Sequence, residues 1–306
     1  MEARHDSVLM SEVLKALEVE PTDTVVDGTL GGAGHFSALV AQLGGDGVIV
    51  GIDADESAVK RAREAYANDR RPERPVAHLI QDNFRNLSHI LERLGVGPVD
   101  AILFDLGWSG YQLASPRGFS FQKDEPLLMT YSDGGETAAE IVNSSSESAL
   151  ADLIYVYGEE RFARGIARAI VAARSKERIL TTSALVAAIN AGTPAAYQNG
   201  RIHPATKTFQ ALRIAVNDEI GSLKEAITAA LDALSPGGRL AVITFHSIED
   251  RVVKNMLRDA VALKRGVLNP KKPIAPSREE LLKNRRARSA KLRVFERSEQ
   301  LTSTYA

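Results

Sequence analysis

The stretch Asp27-Gly28-Thr29-Leu30-Gly31-Gly32-Ala33-Gly34-His35, directly behind the apolar run Thr24-Val25-Val26, constrains the fold of this chain more than any other. A strand that ends in an acid and opens into a turn with glycines at 28, 31, 32 and 34 leaves bare backbone where side chains would otherwise stand. The helix that follows such a turn presents its unpaired N–H groups to whatever lies against it, an arrangement suited to a nucleotide-like ligand. A glycine-rich turn is also an ordinary packing device in α/β chains, and an acid such as Asp53, taken alone, serves equally as a helix cap. The reading therefore depends on order and spacing along the chain.

About eighteen residues beyond the turn, a second apolar strand, Val48-Ile49-Val50-Gly51-Ile52, ends in Asp53, where a carboxylate can take both hydroxyls of a ribose. A dinucleotide and S-adenosylmethionine fit this pattern equally. The glycines lean away from the dinucleotide fingerprint, because 28, 31 and 34 give no clean G-x-G-x-x-G, although Gly32 and Gly34 form a lone G-x-G. A third segment, Val76 to Phe84, places Asp82, Asn83 and Phe84 at a strand end, suited to the edge and face of an adenine. The fourth, Ala101-Ile102-Leu103-Phe104, again ends in an acid, Asp105. Four successive strands with polar ends predict the carboxyl edge of an open parallel sheet, where such folds bind ligands.

With 306 residues, 44% hydrophobic and 25% charged, the chain has ordinary globular composition and room for one large domain with an insertion, or two domains. No leader-like segment and no apolar run of membrane-spanning length is visible, so the expected location is the cytoplasm, with no membrane partner. The chain has no cysteine. That removes disulfides, thiolate metal sites and any mechanism that attacks a substrate through sulfur, including the covalent route to a pyrimidine ring carbon.

A net charge of −1 conceals an uneven distribution, for the segment from Arg251 to Arg297 carries many lysines and arginines against few acids. Such a block is either a solvated face or, beside a nucleotide-type fold, a phosphate-binding surface. Between Ser144 and about Ala191 the apolar residues Leu150, Leu153, Ile154 and Tyr157, then Phe162, Ile166, Ala169 and Ile170, follow a helical period. Ser146 is expected to cap the first of these helices and Thr182 a later one. An amphipathic helix from about Pro204 then leads through a stop at Leu234-Ser235-Pro236-Gly237-Gly238 into a strand from Arg239 to Phe245, with a final strand near Lys291 to Glu296. The expected organisation is a sheet domain made of residues 1–112 and 204–306, interrupted by a helical domain at 113–203.

Longer motifs make the reading specific. The segment from Arg201-Ile202-His203-Pro204 through Asn217-Asp218-Glu219 resembles the signature of the bacterial small-subunit (16S) ribosomal RNA cytosine-N4 methyltransferase family. So do Thr244-Phe245-His246-Ser247-Ile248-Glu249-Asp250-Arg251, Asn284 through Arg293, and Arg117-Gly118-Phe119-Ser120-Phe121-Gln122, in the family's order, the similarity running from His5 nearly to the C-terminus. The resemblance implies a Rossmann-like, class I S-adenosylmethionine-dependent methyltransferase sheet with an inserted helical substrate-recognition domain. It implies methylation of the exocyclic N4 of a cytidine in the ribosomal decoding region, with S-adenosylmethionine as cofactor and small-subunit ribosomal RNA, or the assembled subunit, as partner; a homodimer is left open. The family's cofactor residues map onto Ala33, Gly34, His35, Asp53, Phe84, Asp105 and Gln112.

Two stretches depart from the family pattern. After Asp105-Leu106-Gly107 the family continues with a small aliphatic residue and Ser-Ser-Pro, whereas this chain reads Trp108-Ser109-Gly110-Tyr111. Farther on, the family's Leu-Asp-Met-Arg-Met becomes Leu127-Leu128-Met129-Thr130-Tyr131. Trp108 and Tyr111 are aromatic faces able to stack a flipped cytosine, or else they fill space. Because a cytosine amino group is a poor nucleophile, a hydrogen-bond acceptor beside it is needed rather than a strong base, and Asp105 with the carbonyls of Leu106 and Gly107 are the candidates. The catalytic candidates are thus Asp105, Trp108 and Tyr111. His35, His203 and His246 lack metal-ligand spacing, so no metal is expected. Arg201, His203 and Lys207 either meet RNA phosphates or form a structural hinge. The same chemistry on another RNA or on DNA, and a cofactor-binding assembly factor with little catalysis, are the alternatives; a nicotinamide dehydrogenase is a distant one.

Overall fold

The computed structural model describes residues 7–107, 116–131 and 134–299. Trp108, Tyr111 and Gln112 lie outside them. Two compact units are present, Met1–Gly110 with Ile220–Ala306, and Tyr111–Glu219.

The first unit is built on seven strands: β1 (Thr24–Asp27), β2 (Val48–Asp53), β3 (Val76–Gln81), β4 (Val99–Asp105), β5 (Leu234–Thr244), β6 (Gly266–Leu268) and β7 (Lys291–Arg297). Their order is β3-β2-β1-β4-β5-β7-β6. The first five run parallel, and β7 lies antiparallel between β5 and β6. The sheet is thus Rossmann-like but mixed, where the sequence suggested a parallel one. Side chains of a strand alternate between faces. Val25, Ile49, Ala101, Leu103, Ala241 and Ile243 accordingly pack with helices α1 (Met10–Leu17), α2 (Gly34–Gln42) and α3 (Glu56–Ala67). Val26, Val50, Ile102, Phe104, Leu240 and Val242 pack on the other face with α4 (Leu87–Leu94) and two later helices, so both faces are covered. Each large side chain fully buried this way contributes roughly 1.5–3 kcal/mol.

The second unit holds α5 (Ala138–Ser144), α6 (Glu147–Gly158), α7 (Ala163–Arg174), α8 (Thr182–Ala191), α9 (Ala195–Gln198) and α10 (Ala205–Val216). Ser146 caps α6, its hydroxyl accepting from the Ala149 N–H at 3.2 Å. The cap of α8 is Thr181 rather than Thr182. Thr182 is buried, and its hydroxyl donates instead to the Lys123 carbonyl at 2.7 Å. A Thr137/Glu140 capping box opens α5, a helix the apolar period did not reveal.

The boundary at 203/204 needs correction. The amphipathic stretch after Pro204 is not one helix but two, α10 and α11 (Glu219–Ala233), broken at Asn217 and Asp218, where Asp218 takes φ 43°. The Asn217 amide donates to the Arg213 and Met129 carbonyls at 2.9 and 2.7 Å, ending the helix with side-chain bonds. Lys207 Nζ and Gln210 Nε2 on α10 donate to the Glu159 and Tyr157 carbonyls at the end of α6, which keeps α10 with the helical unit. The glycine-rich stop at 236–238 also differs from expectation. It lies inside β5 as an irregularity, the register against β4 jumping from Val99↔Leu234 to Ala101↔Arg239. α12 (Ser247–Ala262) follows β5 with His246 and Glu249 as its capping box, and α13 (Arg278–Lys283) precedes β7. No helix among the described residues is long and apolar enough to cross a membrane.

Candidate cofactor and substrate site

The chain moves outward from β1 to β2 and β3, then returns to β4 on the other side of β1, so the strand order reverses at the β1/β4 pair, where open sheets of this kind have their binding crevice at the carboxyl edge. The β1 turn lies close against β4: the Gly28 N–H donates to the Leu103 carbonyl at 2.9 Å, and the Asp105 N–H to the Thr29 hydroxyl at 2.6 Å. A Cβ at Gly28 would sit 2.5 Å from the Phe104 ring, and one at Gly34 would overlap Ser7 Oγ. Neither position has room for a side chain. Ala33 enters α2 with φ 62° and no side-chain cap, leaving the first N–H groups of α2 without a side-chain acceptor from the cap.

Three carboxyl groups converge on this edge. Asp27 is fully buried, its Oδ1 accepts from the Thr29 N–H at 3.1 Å, and its Oδ2 has no partner among the described residues. Burial pushes it up to about 7, with His35 and the Thr29 N–H opposing and the Asp105 and Asp53 charges adding to the rise. Asp53 ends β2, taking the Asp55 N–H on Oδ1 and the Gly31 N–H on Oδ2, each at 2.9 Å. Burial raises it to about 6, against those hydrogen bonds. Asp105 ends β4, its Oδ1 accepting from the Gly107 N–H at 3.0 Å and its Oδ2 lying 3.4 Å from His35 Nε2. Burial pulls the His35 imidazole down, but the Asp105 and Asp27 carboxylates outweigh it and hold it above its ordinary value. Three acids against one imidazole favour a cationic ligand.

Of the residues singled out from sequence, Ala33, Gly34, His35, Asp53 and Asp105 stand around this turn. Phe84 opens a short 3-10 turn after β3 at the same edge, its ring 5.4 Å from that of Phe104. Asp82 and Asn83 act within that turn: Asp82 accepts from the Asn83 N–H and the Asn86 amide, and Asn83 accepts from the Arg85 N–H. A ribose-like diol fits Asp53, because two backbone donors orient its carboxylate while each oxygen retains accepting capacity. A charged carboxylate group fits the uncapped start of α2, and the unpartnered Asp27 Oδ2 in an acidic setting fits a ligand that also carries positive charge. Sequence reasoning did not single out Thr29. Its signal was a hydroxyl in the turn itself, able to bridge to the neighbouring strand.

The signature residues of the helical unit have structural partners. Arg213 pairs with Glu219 at 2.7 Å, and Tyr131 donates to Glu219 through its hydroxyl at 2.7 Å and to Asn217 through its N–H at 3.0 Å. Tyr131 also stacks on Phe119, with centroids 5.6 Å apart. Met129 takes φ 59° and is buried, so the altered Leu127–Tyr131 stretch is a fixed part of this unit's core. His203 stacks on Phe121 and accepts from the Ala205 N–H, and His246 caps α12.

Residues 2–298 match the model of the MraW methylase family. Among curated proteins, ribosomal RNA small subunit methyltransferase H of Deinococcus radiodurans is 48% identical over 297 residues, covering 96% of this chain and 90% of that protein. The proteins of the same name from Deinococcus deserti and Brevibacillus brevis are 49% and 44% identical, covering 96% of this chain and 93% and 98% of their own lengths. A family match of that extent, joined to a glycine turn and three acids at the crevice of the sheet, makes this chain a member of the MraW methylase family.

Proposed function

We propose that this chain transfers a methyl group from S-adenosylmethionine to the exocyclic N4 of a cytidine in the decoding region of small-subunit ribosomal RNA. The observation that carries the reading is 48% identity over 96% of the chain to a protein named ribosomal RNA small subunit methyltransferase H. The crevice supports it chemically. When bound, the cofactor supplies an electrophilic methyl group on a sulfonium, and the excess of buried carboxylate suits that positive charge. Asp53 holds the ribose hydroxyls, the start of α2 with Ala33, Gly34 and His35 holds the amino-acid end, and Phe84 lies against the adenine. Asp105 and the Leu106 and Gly107 carbonyls accept hydrogen bonds from the target amino group, drawing its electrons toward nitrogen, and the Asp105 carboxylate receives the proton that the nitrogen loses on methylation. Gln112 is assigned to the cofactor, and Trp108 and Tyr111 to stacking the flipped base.

The helical unit is assigned to substrate recognition. A groove of about 970 Å³ runs between α7 and α8, with alanines 169, 172, 184 and 188 along it and Arg168, Lys176 and Arg178 exposed around it. Small residues let a strand approach, and the cations suit its phosphates.

Kinetics of two variants separate the roles. Asp53→Ala is expected to weaken cofactor binding at least about ten-fold and to retain kcat at saturating cofactor, as loss of a charged hydrogen bond does. Asp105→Asn, which removes one of the crevice charges as well, is expected to weaken cofactor binding and to lower kcat about a hundred-fold or more even at saturating cofactor. An Asp105→Asn variant that loses only cofactor affinity makes Asp105 a positioning residue. For the target, initial rates on intact small subunits, naked ribosomal RNA and DNA are compared. The reading expects the highest kcat/KM on a ribosomal substrate, and equal rates on DNA contradict it.

A further inference from the structure

The segment from Arg251 to Arg297 carries fifteen lysines and arginines against four acids, and the crevice chemistry uses none of them. Many of these cations are neutralised or tied to the fold. Lys291 and Arg293 pair with Asp250, Arg265 with Asp232, and Lys283 with Glu279. Arg297 donates to the Asp232 and Leu234 carbonyls. Arg258, Lys264, Lys271, Lys272 and Arg278 are exposed with no side-chain partner among the described residues, and so are Arg285, Arg286 and Arg288, but these last three stand together on one short turn.

Their backbone is fixed. They occupy a 3-10 helix, Arg285–Ser289, capped by Asn284, whose side chain accepts from the Arg286 N–H at 3.1 Å. Three residues per turn divide this segment into three faces. Ala287 and Ala290 form one, buried at 0% and 3% exposure in the core cluster that holds α1 and α2. The other two carry Arg285 with Arg288, and Arg286 with Ser289. Arg285 and Arg288 are therefore eclipsed, about 6 Å apart along the axis. One side of the helix is anchored in the core, and the rest holds three uncompensated guanidinium groups whose fork geometry suits phosphate oxygens.

The position matters as much as the charge. The 3-10 helix runs into β7 at Lys291, opposite Thr244 at the carboxyl end of β5. The preceding α13 is tied by Glu280 Oε1, which accepts from the Leu9 N–H at 2.7 Å just before α1. Ser7, two residues earlier, is the residue whose hydroxyl occupies the Cβ position of Gly34. The arginine turn thus stands on the same sheet edge, and in the same unit, as the acidic crevice.

We propose that Arg285, Arg286 and Arg288 form a phosphate-binding rim that grips the backbone of the RNA strand whose base enters the crevice. This inference rests on the ribosomal RNA reading and adds to it the residues that hold the strand. Acidic side chains in the crevice repel a polyanion, so a cationic rim beside it keeps the strand at the edge while one base goes inward.

The test uses the full chain with all three arginines changed to alanine, and a second variant with all three changed to lysine. Cofactor binding, methyl transfer to small subunits and binding to a small-subunit RNA fragment are measured across salt concentrations. The alanine variant is expected to keep cofactor affinity, to raise KM for RNA at least about ten-fold with kcat less affected, and to lower the slope of log K against log salt by about 2, roughly 0.7 for each single-strand phosphate that is no longer neutralised. The lysine variant is expected to recover most of that slope. An alanine variant with wild-type KM and salt slope overturns the rim. A wild-type chain that methylates no ribosomal substrate overturns the reading beneath it instead, so the two failures are distinguishable.

Discussion

Burial raises Asp27 and Asp53 alike, but the two shifts govern different quantities. Asp27 titrates near 3.8 when unfolded and near 7 when folded, so between these values the folded chain retains a proton that the unfolded chain has released. Its contribution therefore makes stability fall as pH rises from about 4 through 7. His35, also raised on folding, acts in the same direction: its stabilisation is complete below 6.5 and is lost as pH rises through its folded value. Thermal melts of Asp27→Asn from pH 4 to 8 should decline less steeply than those of the wild type; parallel declines would sink this account of Asp27. In the proposed site Asp53 bears on the cofactor. Ribose hydroxyls there donate to its charged form, so affinity for S-adenosylmethionine should climb as pH rises toward about 6 and level off above that value. Titration calorimetry of the wild type and Asp53→Asn checks this, since the variant should bind weakly and lose that pH dependence.

At the scale of elements, the turns after β1 and β4 are locked together through Gly28, Thr29, Phe104 and Asp105. Gly28→Ala drives a methyl group into the Phe104 ring, which in turn contacts Phe84. Overpacking of this kind costs about 1–3 kcal/mol. The variant should melt several degrees lower and bind the cofactor more weakly, whereas unchanged melting would mean the turn has slack. The strands and their acidic ends were legible in the sequence because parallel strands buried on both faces read as plain apolar runs, and a polar residue marks where each run ends. The antiparallel β7 was legible as a strand but not in its direction, which depends on a partner about fifty residues away at β5. The break at Asn217–Asp218 was hidden because the apolar period continues across it, and only the Asn217 bonds to Met129 and Arg213 explain it. The Thr181 cap was missed by one residue for a similar reason, since the claim on the Thr182 hydroxyl comes from Lys123, far away in sequence.

For the whole molecule, the near-zero net charge is the sum of a long first part, residues 1–250, that is acidic on balance and a basic C-terminal segment. Charge asymmetry was readable from sequence. Which arginines stand uncompensated was not, because pairs such as Arg293 with Asp250 form only in the folded chain. S-adenosylmethionine that binds the folded chain alone stabilises it by mass action, by about 2.7 kcal/mol at a hundred times its Kd. Thermal shift against cofactor concentration should show this rise, and hydrogen exchange should place the added protection mainly in the β1, β2 and β4 turns. Protection confined to α6–α8 would put the cofactor elsewhere. The central claim concerns the product. Small ribosomal subunits lacking the decoding-region modification are incubated with the protein and labelled S-adenosylmethionine, and the RNA is digested to nucleosides. The account predicts label in N4-methylcytidine from a single decoding-region position; label in 5-methylcytidine or at no nucleoside, with cofactor binding intact, would contradict it.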